Sequence, residues 1–532
     1  MEAMNKRIQG VTAAFLVAAA SVLTRLCTVL TNADAIAAGN AQGSYILEIP
    51  VSTGTIYDRD MLRLTNTATR YYAVVHPTAD AIAALFTKVT DVSALRKAAK
   101  QGRPFFCEVT DSEISHPNIR IVEVAEQGNL PQLAQHLVGY RHEGKGVTGL
   151  QAACDPWLSA CNTTARLECT VNATGVMLPG LANSIYKDGG GMGGIITSLE
   201  RDVQQITEAA LADSGQNGAA VVLDIQSGEI LAMASLPVYD ADHLADYLDD
   251  TDAPFLNRAL CAYSVGSIFK LAIAAAAIDE GLAEGYMYTC TGKTSVYGRV
   301  FRCHTHEGHG LLSLQDALTV SCNPYFVSLS RFLSPESLVS TASAFGFGKS
   351  IRLAEGMQSA AGNLQTVKEL EIEAEKANFS FGQGKLLATP LQVAAFTACI
   401  ANEGVYCTPK LLLGVTEDGK TLLNATPTER TQAISAETAR QLRQMMINVL
   451  NTAEDAKGLP QYTTAGGKTS TAQTGRYDAE GVELCHGWMT GFFPAESPRY
   501  AVTVMIENGG YGNTCAAPVF RRIIDAMTIA GY

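Results

Sequence analysis

Hydrophobic and polar positions follow several distinct rhythms along this chain. Residues Ile8–Thr24, IQGVTAAFLVAAASVLT, run 17 positions without a charge, between Lys6–Arg7 and Arg25. As a helix this stretch spans roughly 25 Å, a little short of a bilayer core. Arg25 can snorkel and let RLCTVL complete the crossing, so residues 8–30 are expected to form a transmembrane anchor. Lys6 and Arg7 would keep residues 1–7 in the cytoplasm and send the bulk of the chain outside. A signal peptide cleaved near Ala35-Ile36-Ala37 is the alternative. From 38 to 196 the rhythm shortens to strand-like runs such as SYILEIP and RYYAVVHP, ending in the glycine-rich KDGGGMGG, expected to be a flexible linker.

A 3.6-residue rhythm then begins. Thr197 and Glu200 have capping-box spacing, and Leu199, Val203, Ile206 and Ala210 share one helix face. AAVVLDIQSGEILAMAS is two apolar runs around Gln-Ser-Gly, a hairpin pattern. HGWMTGFFP and YAVTVMIENGG read as two more strands near the C-terminus. Strands at both ends of a helix-rich segment predict one α/β domain over about 200–532, its sheet joining start and finish.

The segment YSVGSIFKLAIAAAAIDEG breaks its own pattern once. From Ile268 to Ile278 ten of eleven residues are apolar, and the exception is Lys270. A helix apolar on every side is a buried helix, and a lysine buried without a partner ion costs several kcal/mol or gives up its proton. Ser267 precedes Lys270 by three residues, on the same helix face. A hydroxyl at a positive helix end beside a neutral amine is an activated nucleophile. The plainer alternative makes Ser267 an N-cap and lets Lys270 snorkel out.

Two further pieces bear on this pair. In SCNPYF, Ser321–Phe326, Pro324 suits a helix start and makes Asn323 a natural N-cap. The tetrapeptide Gly-Lys-Thr-Ser occurs twice, at Gly292–Ser295 and Gly467–Ser470. Lys293 is expected on a glycine-bearing loop, solvated. Lys468 opens KTSTAQTG, an alternating β-like run followed by two strands, and a cation on a sheet edge beside a nucleophile can hold a ligand carboxylate.

Composition narrows the partners. At 532 residues the chain suggests two or three domains, and 47% hydrophobic content marks it as packed. A net charge of −13, with no basic run longer than two residues beyond the N-terminus, argues against nucleic acid. Thirteen cysteines leave at least one unpaired; Cys154, Cys161 and Cys169 lie close enough in sequence for one bridge.

The order SIFK, SCN, KTST resembles the three-part active site of penicillin-binding proteins and serine β-lactamases. NRALCAYSVGSIFK, GHGLLSLQDALTVSCNPYF, FGQGKLLATPLQVA, GWMTGFFPAESPRYAVTVMIENGG and APVFRRI resemble the transpeptidase domain of class B penicillin-binding proteins, and STGTIYDRDMLRLTN resembles their pedestal opening. The resemblance covers most of 45–530 and is loose from about 100 to 195. It implies an α/β (α+β) fold with a central antiparallel sheet flanked by helices over 200–532, and a mainly β pedestal over 38–196. It also implies the activity of a membrane D,D-transpeptidase that cross-links peptidoglycan stem peptides ending in D-Ala-D-Ala, is inhibited by β-lactams, and works with a separate membrane glycan polymerase. Carried over by residue, Ser267 is the nucleophile, Lys270 its base, and Ser321, Asn323 and Lys468 the proton relay and its support. Thr469, Ser470 and Thr471 belong to substrate binding. Two departures stand out. Ser470 replaces a usual glycine and is expected to narrow the cleft or alter β-lactam affinity, and Ser52 stands near the place of a usual pedestal arginine.

No step of that chemistry calls for a cofactor or metal. Cys290, Cys303, His304, His306, His309 and Cys322 crowd the interval between the first two motifs, but CTGKTSVYGRVFRCHTHEGH matches no compact zinc finger. A packing or thiol role is expected, with structural zinc as the alternative. The rival functions are a serine β-lactamase or D,D-carboxypeptidase, and a catalytically idle sensor or division scaffold.

Overall fold

The structure, a computed structural model, describes residues 2–31, 44–52, 54–126, 132–170, 184–188, 193–452 and 455–532. It divides into two units, one of residues 1–53, 66–128 and 161–191, the other of 54–65, 129–160 and 192–532. Segments 54–65 and 129–160, expected in the front domain, thus pack with the second unit. The chain passes between the units several times before 192.

In the first unit an N-terminal helix runs Glu2–Thr31. Its stretch Met4–Thr31 has mean hydropathy 2.0 and is, among the described residues, the one helix long and apolar enough to cross a membrane. The two strand-like runs are strands. Ser44–Ser52 pairs antiparallel with Thr163–Thr170, and Ala68–Val75 lies between Phe105–Val109 and Ile119–Glu126. Helices Ala79–Leu85 and Val92–Ala99 cover that second sheet, packing Ala81, Leu85 and Leu95 on Ala73 and Val75. Of the three cysteines considered for one bridge, Cys154, Cys161 and Cys169, the Cys169 side chain lies outside the described residues.

The second unit is built on five antiparallel strands: β1 Gly218–Asp224, β2 Ile230–Leu236, β3 Gly466–Tyr477, β4 Glu483–Phe493 and β5 Tyr500–Ile506, in the order β2-β1-β5-β4-β3. The expected hairpin is β1–β2, and the joining of start and finish is the β1–β5 pairing, Gly218 opposite Ile506 through Asp224 opposite Tyr500. Both faces of the sheet are covered, which is why its strands read as continuous apolar runs. In β1, Ala219, Val221 and Leu223 enter one core while Ala220 and Val222 enter the other.

Helices α1 Arg201–Ala212 and α6 Gly512–Ile529 cover one face. Helices α2 Lys270–Asp279, α4 Pro390–Ala401 and α5 Ala436–Thr452 contribute to the core on the other. Every residue of α4 is buried, and its start is fixed by a capping box between Thr389 and Gln392 with Pro390 in the first turn. Buried hydroxyls tie it to the sheet, since Thr397 Oγ1 lies 2.7 Å from Thr490 Oγ1, itself 2.6 Å from Thr503 Oγ1.

The helix start differs from expectation. Thr197 ends a strand, Gly194–Thr197, that pairs with Thr55–Tyr57 and Leu412–Thr416, and its hydroxyl donates to the Tyr57 carbonyl at 2.8 Å. Glu200 is the N-cap of α1 and makes no side-chain cap bond. Of the expected glycine linker, residues 189–192 lie outside the described residues, and Gly194 belongs to this strand.

Candidate active site

Ser267 lies on a 3-10 turn, Gly266–Phe269, that runs directly into α2. Gly266 has φ +64°, and a Cβ there would stand 2.5 Å from Ser470 Oγ and 3.2 Å from the Thr471 carbonyl. Gly382, φ +76°, has the same constraint, its Cβ position falling 2.0 Å from the Gly266 carbonyl. Backbone approach this close admits only glycine. Gly266 N donates to Gly382 O at 2.9 Å, and Trp488 Nε1 donates to Ser264 O at 3.0 Å. The turn is thereby clamped between the edge strand β3 and the 379–384 segment, with Ser267 half-exposed among buried neighbours.

Lys270 is fully buried. Its Nζ lies 2.7 Å from the Ser321 carbonyl, 2.7 Å from Asn323 Oδ1 and 3.2 Å from Ser321 Oγ. No carboxylate is among these partners. Burial pushes Lys270 well below the usual lysine range, and the nearby charge of Lys468 pushes it the same way. The Phe326 ring, 5.6 Å away, offers a cation about 1 kcal/mol, too little to offset desolvation of several kcal/mol. The Lys270 hydrogen bonds go to Ser321 and Asn323, not to Ser267. Ser267 and Lys270 are related by three-residue spacing along the turn and helix, and catalytic hydrogen bonds often tighten only once a ligand is in place.

Ser321 sits in the left-handed region, φ +52°, one residue ahead of the N-cap of helix α3, Asn323–Leu329. Such strain in a non-glycine residue costs about 1–3 kcal/mol and persists where the surroundings enforce it. Here it presents both its carbonyl and its hydroxyl to Lys270. Asn323 is not the N-cap expected of it: Cys322 holds that position, and the Asn323 amide oxygen accepts from Lys270 instead.

Lys468 approaches from β3, buried, with Nζ 3.2 Å from Ser321 Oγ and 3.0 Å from the Thr469 carbonyl. Burial lowers it to about 8. The Ser321 hydroxyl therefore stands between two lysine nitrogens. The other Gly-Lys-Thr-Ser copy forms a hairpin strand, Lys293–Val296 paired with Arg299–Arg302, rather than the expected loop, and Lys293 is exposed as anticipated.

The four residues of the third motif divide by strand alternation. Lys468 and Ser470 are buried on the face toward the nucleophile turn; Thr469 and Thr471 are half-exposed. The Ser470 hydroxyl donates to the Val265 carbonyl at 2.8 Å and rests against Gly266. This bond braces the nucleophile turn. Thr471 Oγ1 accepts from Gly512 N at 3.2 Å. A cavity of about 420 Å³ opens beside Ser321, Lys468 and Thr469, walled also by His309, Met489 and Asn513. Sequence reasoning missed the Trp488 and Ser470 braces, which no local pattern signals. FGQGK and the glycine of VGS carried the only hint of the glycine clamp.

Of the six crowded cysteines and histidines, four converge. The ligand-capable atoms of Cys290, Cys303, His309 and Cys322 all lie within 4.8 Å of one another.

A half-exposed serine at a helix start, a neutral-tending lysine one turn on, a shared second serine and a cation on a sheet edge define a serine acyl-transfer site of the penicillin-recognising class. The chain matches the penicillin binding protein transpeptidase domain over residues 218–525. It is 30% identical over 467 residues to stage V sporulation protein D of Bacillus subtilis, spanning 83% of this chain and 70% of that one. It is also 30% identical over 371 residues to the peptidoglycan D,D-transpeptidase PbpA of Mycolicibacterium smegmatis, spanning 64% and 73%. Among solved structures it resembles penicillin-binding protein A from M. tuberculosis in its ceftriaxone acyl-enzyme complex, with TM-score 0.64 and 26% identity, over 78% of this chain and 94% of that one. This chain belongs to the penicillin-binding protein transpeptidase family.

Because the Ser470 hydroxyl serves the Val265 carbonyl, Ser470→Gly is expected to lower stability by about 1 kcal/mol, seen as a lower melting midpoint, while reaction with penicillin survives. Loss of that reaction at unchanged stability would place Ser470 in the cleft after all.

Proposed function

We propose that this chain is a membrane-anchored D,D-transpeptidase that cross-links peptidoglycan stem peptides through an acyl-enzyme on Ser267. The observation that carries the reading is the convergence of Lys270 and Lys468 on the Ser321 hydroxyl beside the Ser267 turn. Ser267 attacks the carbonyl between the two terminal D-alanines, and its proton passes to neutral Lys270. The bond to the last D-alanine breaks, and Ser321 relays a proton to the departing amine, with Lys468 and Asn323 holding the relay. An amine from a neighbouring strand then attacks the ester, forms the cross-link and frees Ser267.

The backbone N–H groups of Ser267 and Thr471 stabilise the oxyanion, each usually worth ~3 kcal/mol. Strand β3 is a sheet edge and offers an extended peptide or a β-lactam unpaired backbone groups. Lys468, Thr469 and Thr471 hold the terminal carboxylate. The N-terminal helix anchors the chain with its bulk outside the cytoplasm, the 38–196 region serves as a pedestal, and a membrane glycan polymerase supplies the strands.

Labelling with a fluorescent penicillin tests the nucleophile. Wild type is expected to hold the label stably and Ser267→Ala to show none; equal labelling would remove Ser267 from the mechanism, and rapid loss of label from wild type would favour a β-lactamase. The acylation rate should also depend on pH in a bell. It rises as Lys270, held below the usual lysine range, loses its proton, and falls as pH passes about 8, where Lys468 loses the charge that holds the ligand carboxylate. A rate that climbs only towards pH 10.5, the ordinary lysine value, would contradict a neutral Lys270.

A further inference from the structure

The chemistry derived so far uses none of Cys290, Cys303, His309 and Cys322, although they stand at its edge. Three thiols and an imidazole gather here from four separate chain positions. Cys290 ends a short strand, Tyr288–Cys290, paired with Gly310–Leu312, which His309 immediately precedes. Cys303 follows the strand Arg299–Arg302, and Cys322 caps α3. All three cysteines are buried.

The backbone is shaped for this convergence. Gly292 and Gly308 both have positive φ, and a Cβ on either would collide with the opposite loop, 1.9 Å from His306 O and 2.2 Å from Cys290 O. Cys303 N donates to Gly292 O at 2.8 Å. The two loops therefore cross in backbone contact, which brings their side chains to one point.

The donor set and distances are specific. Cys303 Sγ lies 3.4 Å from His309 Nδ1. Bonds of ~2.3 Å to sulfur and ~2.0 Å to nitrogen at tetrahedral angles put neighbouring ligand atoms roughly 3.5–3.8 Å apart. The far nitrogen of the same ring, Nε2, is 3.1 Å from Thr305 Oγ1. That contact fixes the ring and leaves Nδ1 as the atom facing the thiols, the second contact a ligating histidine usually makes. Three sulfurs and one imidazole nitrogen in a closed set favour zinc over hard cations.

The geometry points to a structural zinc ion held by Cys290, Cys303, His309 and Cys322, which fixes the strained Ser321–Asn323 segment from behind. Cys322 lies between the two residues that bond Lys270, so a metal–sulfur bond there anchors the turn that presents Ser321 to both lysines. The hairpin strands of this region are three or four residues long. Ladders that short hold little structure without a cross-link. Binding displaces the thiol protons to solvent, and no electron is transferred. The ion touches no reacting atom, so Cys322 and its companions are positioning residues. This positioning role rests on the acyl-transfer reading; the metal site itself does not.

The test begins with metal content of the full-length protein purified in detergent without added metal. Close to one zinc per chain is expected. Cobalt replacing it in the wild-type protein should give thiolate charge-transfer bands and the visible bands of tetrahedral cobalt. His309→Ala should lose zinc, and His309→Cys should retain it. Chelated wild type should acylate with penicillin about a hundredfold more slowly, the cost of a misplaced catalytic group, and recover with zinc but not magnesium. Substoichiometric zinc with no cobalt spectrum, or a disulfide joining two of the three cysteines in the purified protein, would overturn the site. Zinc bound but removed without change in acylation rate would overturn the positioning role alone. Failure of Ser267→Ala to abolish labelling would sink the acyl-transfer reading while leaving the metal data intact.

Discussion

Two lysine side chains share one serine hydroxyl, and among the described residues neither has a carboxylate beside it. Lys270 and Lys468 each place Nζ 3.2 Å from Ser321 Oγ, both in buried surroundings. Two ammonium charges so close, with water excluded, repel each other by several kcal/mol even at an effective dielectric of about 20. The inexpensive solution is for one to be neutral, and it is Lys270, the more deeply perturbed of the two. A neutral amine donates twice and accepts once. Lys270 can then donate to the Ser321 carbonyl and Asn323 while its lone pair accepts from the Ser321 hydroxyl, which in turn accepts from charged Lys468. That protonation state satisfies the polar network without placing two charges on one hydroxyl, and it contains a base.

The rest of the fold maintains this meeting. The all-apolar α2 buries the amine, and the left-handed turn at Ser321 offers it oxygen atoms but no charge. The edge strand β3 brings the second lysine from the opposite side. Glycines at 266 and 382, with the Ser470 and Trp488 bonds, pin the nucleophile turn against that strand. Binding sites on rigid elements are more exact than sites on loops, and here Ser267, Lys270, Asn323 and Lys468 all sit on helices or strands, with Ser321 on the short turn that leads into α3.

Much of this was legible in the sequence because it depends on periodicity. A lysine alone among ten apolar residues announces burial, alternating runs at both ends of a segment announce a closing sheet, and the three ordered motifs announce the class. What stayed hidden depends on partners distant in sequence. Thr197 looks like a cap, yet its hydroxyl goes to Tyr57, because a parallel strand from far upstream overrides the local pattern. Asn323 looks like a cap, yet Lys270 takes its side chain. Ser470 stands in the third motif, and its bond to Val265 depends on a partner some two hundred residues upstream. The cysteine and histidine spacing fits no known short pattern because two crossing loops and a helix cap, not one knuckle, supply the ligands.

Direct titration of the two lysines tests the central claim. With lysine labelled at Cε by carbon-13, and resonances assigned by Lys270→Met and Lys468→Met, the account predicts that Lys270 is uncharged at neutral pH while Lys468 is charged and titrates near 8. Two resonances that both titrate near the ordinary 10.5 would mean two charged ammoniums around one hydroxyl, and would contradict it.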